Sequence, residues 1–311
     1  MEIFQEGEQI MREAVIEIKG LKRRFGANDA VSGLNLRVSR GRCYGFFGRN
    51  GAGKTTTIKC LLNLLKPTEG SVCLFGSNAS QDDVAVKSRF TYVPDTFAYY
   101  PWMTISSYFE YLAAFRTKWN SNMESDLLNQ FGLDPTQKVG NLSKGQKMQI
   151  ALIGALCPEP ELLVLDEPTS GLDPLVRREF IRTVIGAYQD ADPENRTVFV
   201  STHMITEFEG LIDEFTIIEE GQDIVSMETE AARNEFKRIR ARFSGTPPDR
   251  IEGLSEVIQW EASGRELEVI VKGDSGPLLN SLKKHQPESV ETGSLTLEDI
   301  FLATLASKNG L

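Results

Sequence analysis

Gly48-Arg49-Asn50-Gly51-Ala52-Gly53-Lys54-Thr55 follows the spacing G-x-x-x-x-G-K-[ST], and its setting decides the fold. Glycines at these positions let the backbone curl until successive N–H groups converge on one anion. Lys54 adds a full positive charge for the β- and γ-phosphates, and the Thr55 hydroxyl is placed to hold Mg²⁺. Before the loop, Cys43-Tyr44-Gly45-Phe46-Phe47 reads as a short buried strand. After it, Thr56-Thr57-Ile58-Lys59-Cys60-Leu61-Leu62 opens a helix whose positive end faces the same anion. A glycine-rich turn beside an exposed lysine is the plainer alternative, but strand, loop and helix together specify a nucleoside-triphosphate site. Asn50, Gly51, Ala52, Gly53, Lys54, Thr55 and Thr56 are the expected contacts.

Further along, Leu142-Ser143-Lys144-Gly145-Gln146 precedes the apolar helical run Met148–Leu156. Ser143 is a candidate N-cap, and the first-turn amides of that helix form a second anion-binding end. Leu162-Leu163-Val164-Leu165-Asp166-Glu167 is apolar at every position until two acids close it, as suits a parallel strand covered on both faces. Ser170-Gly171-Leu172-Asp173 follows, and the strand Thr197–Thr202 ends at His203. Functional groups gather where such strands end.

With these five motifs in order, residues 15 to 230 or so resemble the ATPase subunit of an ATP-binding cassette (ABC) transporter. The resemblance implies an α/β P-loop cassette: a mostly parallel core sheet, an antiparallel β subdomain and a helical subdomain near residues 96–157. It implies ATP and Mg²⁺ as ligands. Asp166 is then expected to hold Mg²⁺ through water, Glu167 to polarise the attacking water, and His203 to touch the γ-phosphate and Glu167. Phosphoryl transfer needs placement and charge neutralisation more than covalent help. Phe25 stands where the family has an aromatic that stacks on adenine, the alternative being an ordinary core phenylalanine. Ser143, Gly145, Gln146 and Asp173 are expected to face the nucleotide of an opposite subunit. Two anion-binding helix ends of one chain cannot enclose one ATP, so a head-to-tail pair follows, homodimer or heterodimer, holding two nucleotides.

Two positions depart from the pattern. After Phe90-Thr91-Tyr92-Val93, the family's usual glutamine is replaced by Asp95. A carboxylate also binds Mg²⁺, though it is shorter and adds charge beside the phosphates. Lys144 replaces a glycine and is compatible with solvent exposure.

Composition limits the remaining readings. The 311 residues suffice for one large domain and a small one. No apolar stretch reaches the roughly eighteen residues that span a bilayer, and the acidic start, Met1 to Glu8, lacks the character of a secretory signal. The 4 cysteines lie far apart without metal-ligand spacing, as free thiols of a reducing cytosol do. A net charge of −10 argues against a general nucleic-acid binder. A cassette of DNA repair or translation would usually carry two cassettes or a long coiled coil, and neither is present. A purely regulatory nucleotide switch fits poorly with Glu167 and His203 both in place. The resemblance therefore implies an ATP-hydrolysing subunit, cytoplasmic and peripheral on the inner face of the membrane, that energises export through a separate permease.

Outside the cassette, residues 1–14 read as a leader and 231–311 as a small α+β accessory domain. Strand-like runs at Arg240–Phe243, Val257–Trp260 and Leu267–Val271 precede a helix, Pro277–Lys284. Thr296 and Asp299 form the pattern of a capping box ahead of an amphipathic helix. Its task is open between a dimer-stabilising appendage and a ligand sensor. The aromatic group Phe97, Tyr99, Tyr100 and Trp102, entering the helical region Thr104–Phe115 and Met123–Phe131, is open between core packing and a docking groove for a permease helix.

Overall fold

The computed structural model describes residues 13–79, 83–184, 188, 191–249 and 257–308. All but the last two residues of the expected leader lie outside that set. Three strands with apolar centres, β3 (Cys43–Phe47), β7 (Leu162–Asp166) and β8 (Thr197–Thr202), are buried throughout. They lie side by side and parallel, in the order β3-β8-β7, with β6 (Phe90–Val93) beyond β7 and β9 (Glu214–Glu219) beyond β3. The antiparallel β10 (Gln222–Glu228) closes the edge next to β9.

Each central strand sends alternate side chains into two different cores. Tyr44, Phe46, Leu162, Val164 and Phe199 pack with α1 (Lys54–Leu61) and an antiparallel sheet. That sheet runs β2-β1-β4-β5, from β1 (Ala14–Phe25), β2 (Asn28–Ser39), β4 (Glu69–Leu74) and β5 (Ser77–Asn78). A short helix, α2 (Val84–Ser88), leads into β6. Cys43, Phe47, Leu163, Leu165, Val198 and Val200 face the other core, where α3 (Ile105–Ala113), α4 (Ser121–Gln130) and α5 (Lys144–Leu156) contribute their apolar sides. Thr104 caps α3, Asn120 caps α4, and α6 (Pro174–Val184) follows the acidic end of β7.

Beyond β10, α7 (Thr229–Glu235) leads to a third, antiparallel sheet, ordered β12-β13-β11-β14. Its strands are β11 (Phe236–Arg242), β12 (Val257–Ser263), β13 (Glu266–Lys272) and β14 (Ser289–Ser294). Helix α8 (Gly276–Lys284) buries Leu278 and Leu282 against Ile239, Leu267 and Val269 on one face. Helix α9 (Leu297–Lys308) packs against β12 and α7. The sequence suggests an amphipathic α9, but Leu297, Ile300, Phe301, Ala303, Thr304 and Leu305 are all buried. It is covered on more than one side because the cassette lies against it as well. Strand β14 carries no apolar alternation and was not legible, since an exposed edge strand needs only backbone pairing with β11.

The phosphate loop is held in place by the turn between β9 and β10. Gly221 N–H donates to the Ala52 carbonyl (3.0 Å), and Ser32 N–H donates to the Gly221 carbonyl (2.8 Å). Gly221 has φ +75°, and a Cβ there would meet Val31 Cα at 2.7 Å and Ser32 N at 2.9 Å. Both obstacles are backbone and cannot swing aside. Gly221→Ala is therefore expected to lower stability by about 1–3 kcal/mol, the range of a strained backbone site, and to weaken ATP binding. A melting curve with and without ATP checks both; an unchanged melting temperature would contradict the contact.

Candidate functional site

The carboxyl ends of β3, β8 and β7 bring three segments together that are distant in sequence. The phosphate loop leaves β3, Glu167 follows β7, and His203 follows β8. Gly51 and Gly53 have φ +85° and +105°, and a Cβ on Gly53 would lie 2.4 Å from the Ala30 carbonyl oxygen. Only glycine fits so close to the β2 backbone. Lys54 is 6% exposed, and its Nζ donates to the carbonyls of Gly48 (2.8 Å) and Arg49 (3.3 Å).

Glu167 is the hinge of the arrangement. Its φ of +48° is left-handed, a conformation costing a non-glycine residue on the order of 1–3 kcal/mol. That turn is why two adjacent acids at a strand end serve one site, and nothing in the sequence marks it. Oε1 of Glu167 lies 3.0 Å from Lys54 Nζ, and Oε2 lies 2.9 Å from His203 Nδ1. The Thr202 hydroxyl and the His203 N–H also donate to Oε2, at 3.3 and 3.4 Å. Glu167 N–H donates to the Ser201 carbonyl at 2.8 Å, fixing its backbone to β8.

Asp166 is the opposite case. It is 1% exposed, and neither carboxylate oxygen has a hydrogen-bond partner. Burial raises its pKa above the usual carboxylate range, the Glu167 charge adds to this, and Thr55, Ser201 and Lys54 pull the other way. An orphaned buried carboxylate beside the Thr55 hydroxyl is a hard oxygen donor set of the kind Mg²⁺ takes, with waters and phosphates completing its shell. Tyr92, which the sequence reading passed over, sits beside these acids. Its phenol is pushed up chiefly by burial and further by the charges of Asp166 and Asp95.

A cavity of about 570 Å³ opens over Lys54, Thr55 and Glu167, while Asp166 and His203 are not among its lining residues. Asn50, Gly51, Gly53, Lys54, Thr55 and Thr56 line it, as expected, together with Asp95 and Glu167. Ala52 is buried behind the loop. Asn28, Asp29 and Glu220 line it too. The first two open β2 and the third lies in the turn after β9, none within a motif, so spacing could not reveal them. Phe25 is 45% exposed, which removes the core-residue alternative. It pairs in register with Asn28 of the cavity wall, and the Arg23 guanidinium lies 4.4 Å from its ring centroid.

Ser143, Gly145, Gln146 and Asp173 do not line this cavity. The structure instead brings them to one another. Ser143 caps α5 in a full capping box: Gln146 N–H donates to Ser143 Oγ (3.2 Å), and Ser143 N–H donates to Gln146 Oε1 (2.9 Å). A Cβ on Gly145 would lie 3.4 Å from Val176, whose N–H donates to Asp173 Oδ1 at 3.2 Å. The aromatic group divides. Phe97 and Tyr99 pack on the core, with Tyr99 donating to the Lys147 carbonyl at 2.8 Å, while Tyr100 and Trp102 are exposed.

A P-loop ATPase cassette is thus defined by fold and site together. A family profile described as ABC transporter matches residues 31–170. The bacitracin transport ATP-binding protein BcrA of Bacillus licheniformis is 37% identical over 67% of this chain and 68% of its own length. The Nod factor export ATP-binding protein I of Burkholderia lata is 32% identical over 94% of this chain and 97% of its own. A solved ATP-binding subunit of an ABC transporter superposes with a TM-score of 0.64 at 26% identity, covering 71% of this chain and 92% of that one. The chain belongs to the ATP-binding subunits of ABC transporters. It is an ATPase that energises transport through a separate membrane permease. No described helix is long and apolar enough to cross a membrane.

The contrast between the two acids gives a signed prediction. A carboxyl whose folded pKa is raised binds its proton more tightly folded than unfolded, so stability falls as pH rises through the window above 3.8, the ordinary value. Asp166→Asn removes the buried charge and keeps the shape, so it should stabilise the nucleotide-free protein at pH 7 by about 1–3 kcal/mol, the order of a desolvation penalty in protein data. The gain should shrink on acidification, and stabilisation by ATP with Mg²⁺ should be lost. Melting curves at pH 7 and pH 4 check the sign.

Proposed function

We propose that two ATPase subunits, identical or related, close head to tail over two ATP molecules and so drive a permease working in the export direction. The observation that carries this reading is the continuous contact Lys54–Glu167–His203, whose first two members line a cavity sized for a nucleotide. Export is suggested by the relatives, one named for bacitracin transport and one for Nod factor export. The surface bearing Ser143, Gly145, Gln146 and Asp173 supplies the second wall of the partner's ATP site. The subunit works on the cytoplasmic face of the membrane, and its charge of −10 disfavours nucleic acid as a partner.

The phosphate-loop amides and Lys54 bind and orient the triphosphate. As phosphate approaches Lys54, Glu167 gives up its role as counter-ion and orients the attacking water instead. His203 keeps the carboxylate aimed and donates toward the γ-phosphate. Phe25 offers a ring face to adenine, worth roughly 1–3 kcal/mol. Asp166, Thr55 and Asp95 would hold Mg²⁺, which when bound neutralises charge on the phosphates. Glu167→Gln should bind ATP normally and turn over 10²–10³-fold more slowly, the usual order for one preorganised group, accumulating an ATP-bound dimer. Wild-type turnover, or a monomer with ATP in gel filtration, would defeat the reading.

The exposed side of the helical region supplies the permease contact. Trp102, Tyr100, Tyr111 and Phe115 are 39–72% exposed and touch in that order, with ring centroids 4.7, 5.9 and 5.1 Å apart. Such an aromatic strip suits an apolar segment of a membrane protein. Trp102→Ala with Phe115→Ala should leave the ATPase rate of the isolated subunit within about twofold and abolish co-purification with the permease. Retained co-purification would remove the strip from the interface.

A further inference from the structure

The segment beyond β10 has no place in the ATPase scheme above, yet its last helix lies against the chain that carries His203. From His203 the backbone passes Met204 and enters a single 3₁₀ turn, Ile205–Glu207. Ile205, Phe208 and Ile212 are 1%, 3% and 4% exposed, and they share one core with Leu297, Ile300 and Phe301 of α9. The contact is also polar. Leu297 N–H, at the start of α9, donates to Glu209 Oε1 at 3.0 Å. Thr296 and Asp299 cap the same helix end, and Asp299 pairs with Arg238 of β11 at 2.6 Å. One end of α9 is thereby pinned to the third sheet and to the turn that follows His203.

His203 has little else to hold it. Its side chain is 39% exposed, and its ring meets the Glu167 carboxylate. A 2.9 Å contact made by an otherwise unsupported ring depends on where its backbone is set. That backbone is set by β8 on one side and by the turn packed on α9 on the other. The turn also reaches the segment before α6: Glu207 pairs with Arg177, whose Nη2 donates to the Leu172 carbonyl at 2.9 Å.

We propose that α9 is a positioning element of the ATPase site, acting through Glu209 and Phe301 on the turn that places His203 against Glu167. The proposal rests on the reading of His203 given above. Detaching α9 lets the turn drift while leaving the phosphate loop untouched, because Ala52 and α1 belong to the core on the opposite face of the central sheet. The C-terminal segment then governs the chemical step and leaves ATP affinity alone. Displacements of about 1 Å of this kind cost up to about 10²-fold in rate.

The test uses the full chain with the substitutions Phe301→Ala, Glu209→Ala and Glu209→Gln. Steady-state ATPase kinetics give kcat and KM, and the thermal shift caused by ATP reports folding and binding in each sample. Phe301→Ala and Glu209→Ala should lower kcat about tenfold with KM within about twofold of wild type. Glu209→Gln keeps the acceptor oxygen for Leu297 N–H and should restore kcat. In a His203→Ala background, Phe301→Ala and Glu209→Ala should lower kcat no further, because the element acts through that residue. Wild-type kcat in both variants, a parallel rise in KM, no rescue by glutamine, or full additivity with His203→Ala would each overturn the proposal. Should Phe301→Ala fail to fold, the Glu209 pair decides it. Wild-type turnover in His203→Ala alone would instead defeat the reading of the site, whereas loss there with normal Glu209→Ala defeats only the role of α9.

Discussion

An ammonium ion that is 6% exposed at the end of three parallel strands has to be matched by negative charge. Lys54 meets this demand with the Gly48 and Arg49 carbonyls and with Glu167. Breaking a buried pair of this kind costs several kcal/mol, because one charge is left uncompensated. The pair therefore fixes how the phosphate loop, the end of β7 and the end of β8 sit on one another. It also fixes what ligand the site accepts, since only an anion can take over from Glu167 without stranding the lysine. Triphosphate binding and the release of Glu167 for other work become one event.

Adjacent acids thereby come to hold opposite states. Asp166 is inside, with burial raising its pKa against the weaker pull of the Thr55 and Ser201 hydroxyls. Glu167 is turned outward by its left-handed backbone and has Lys54, Thr202 and His203 as partners. A carboxylate left without partners stores affinity for a cation, while one with several partners is aimed. The stability lost at Asp166 is recovered when a cation arrives, which is the usual relation between an unfavourable apo site and its ligand.

The parts of the fold that could be read beforehand share one physical trait. Strands 43–47, 90–93 and 197–202 are found where the sequence placed them, because parallel strands of a covered sheet need an apolar centre. The capping residues Ser143 and Thr296 were legible for a similar reason: orphan amides at a helix start demand a specific side-chain oxygen. What could not be read depends on neighbours distant in sequence. The φ of Glu167, the approach of Tyr92 to Asp166, and Asn28, Asp29 and Glu220 in the cavity wall have no local signature. Strand β14 hid for want of apolar residues, and α9 looked one-sided because the cassette's half of its contact lies some ninety residues earlier, at Glu209.

That long-range contact bears on how the chain is divided. Composition changes after residue 221, and the third sheet has its own small core with α8. Yet Ile300, Phe301 and Leu305 belong to the same continuous core as Ile205, Phe215 and Leu165 of the cassette. An appendage joined only by a linker would move freely, whereas one that inserts a helix into the cassette core cannot shift without disturbing its neighbours. Interiors packed this densely transmit displacement instead of absorbing it. A C-terminal segment docked beside the histidine-bearing turn is therefore mechanically part of the ATPase, whatever else its outer surface meets.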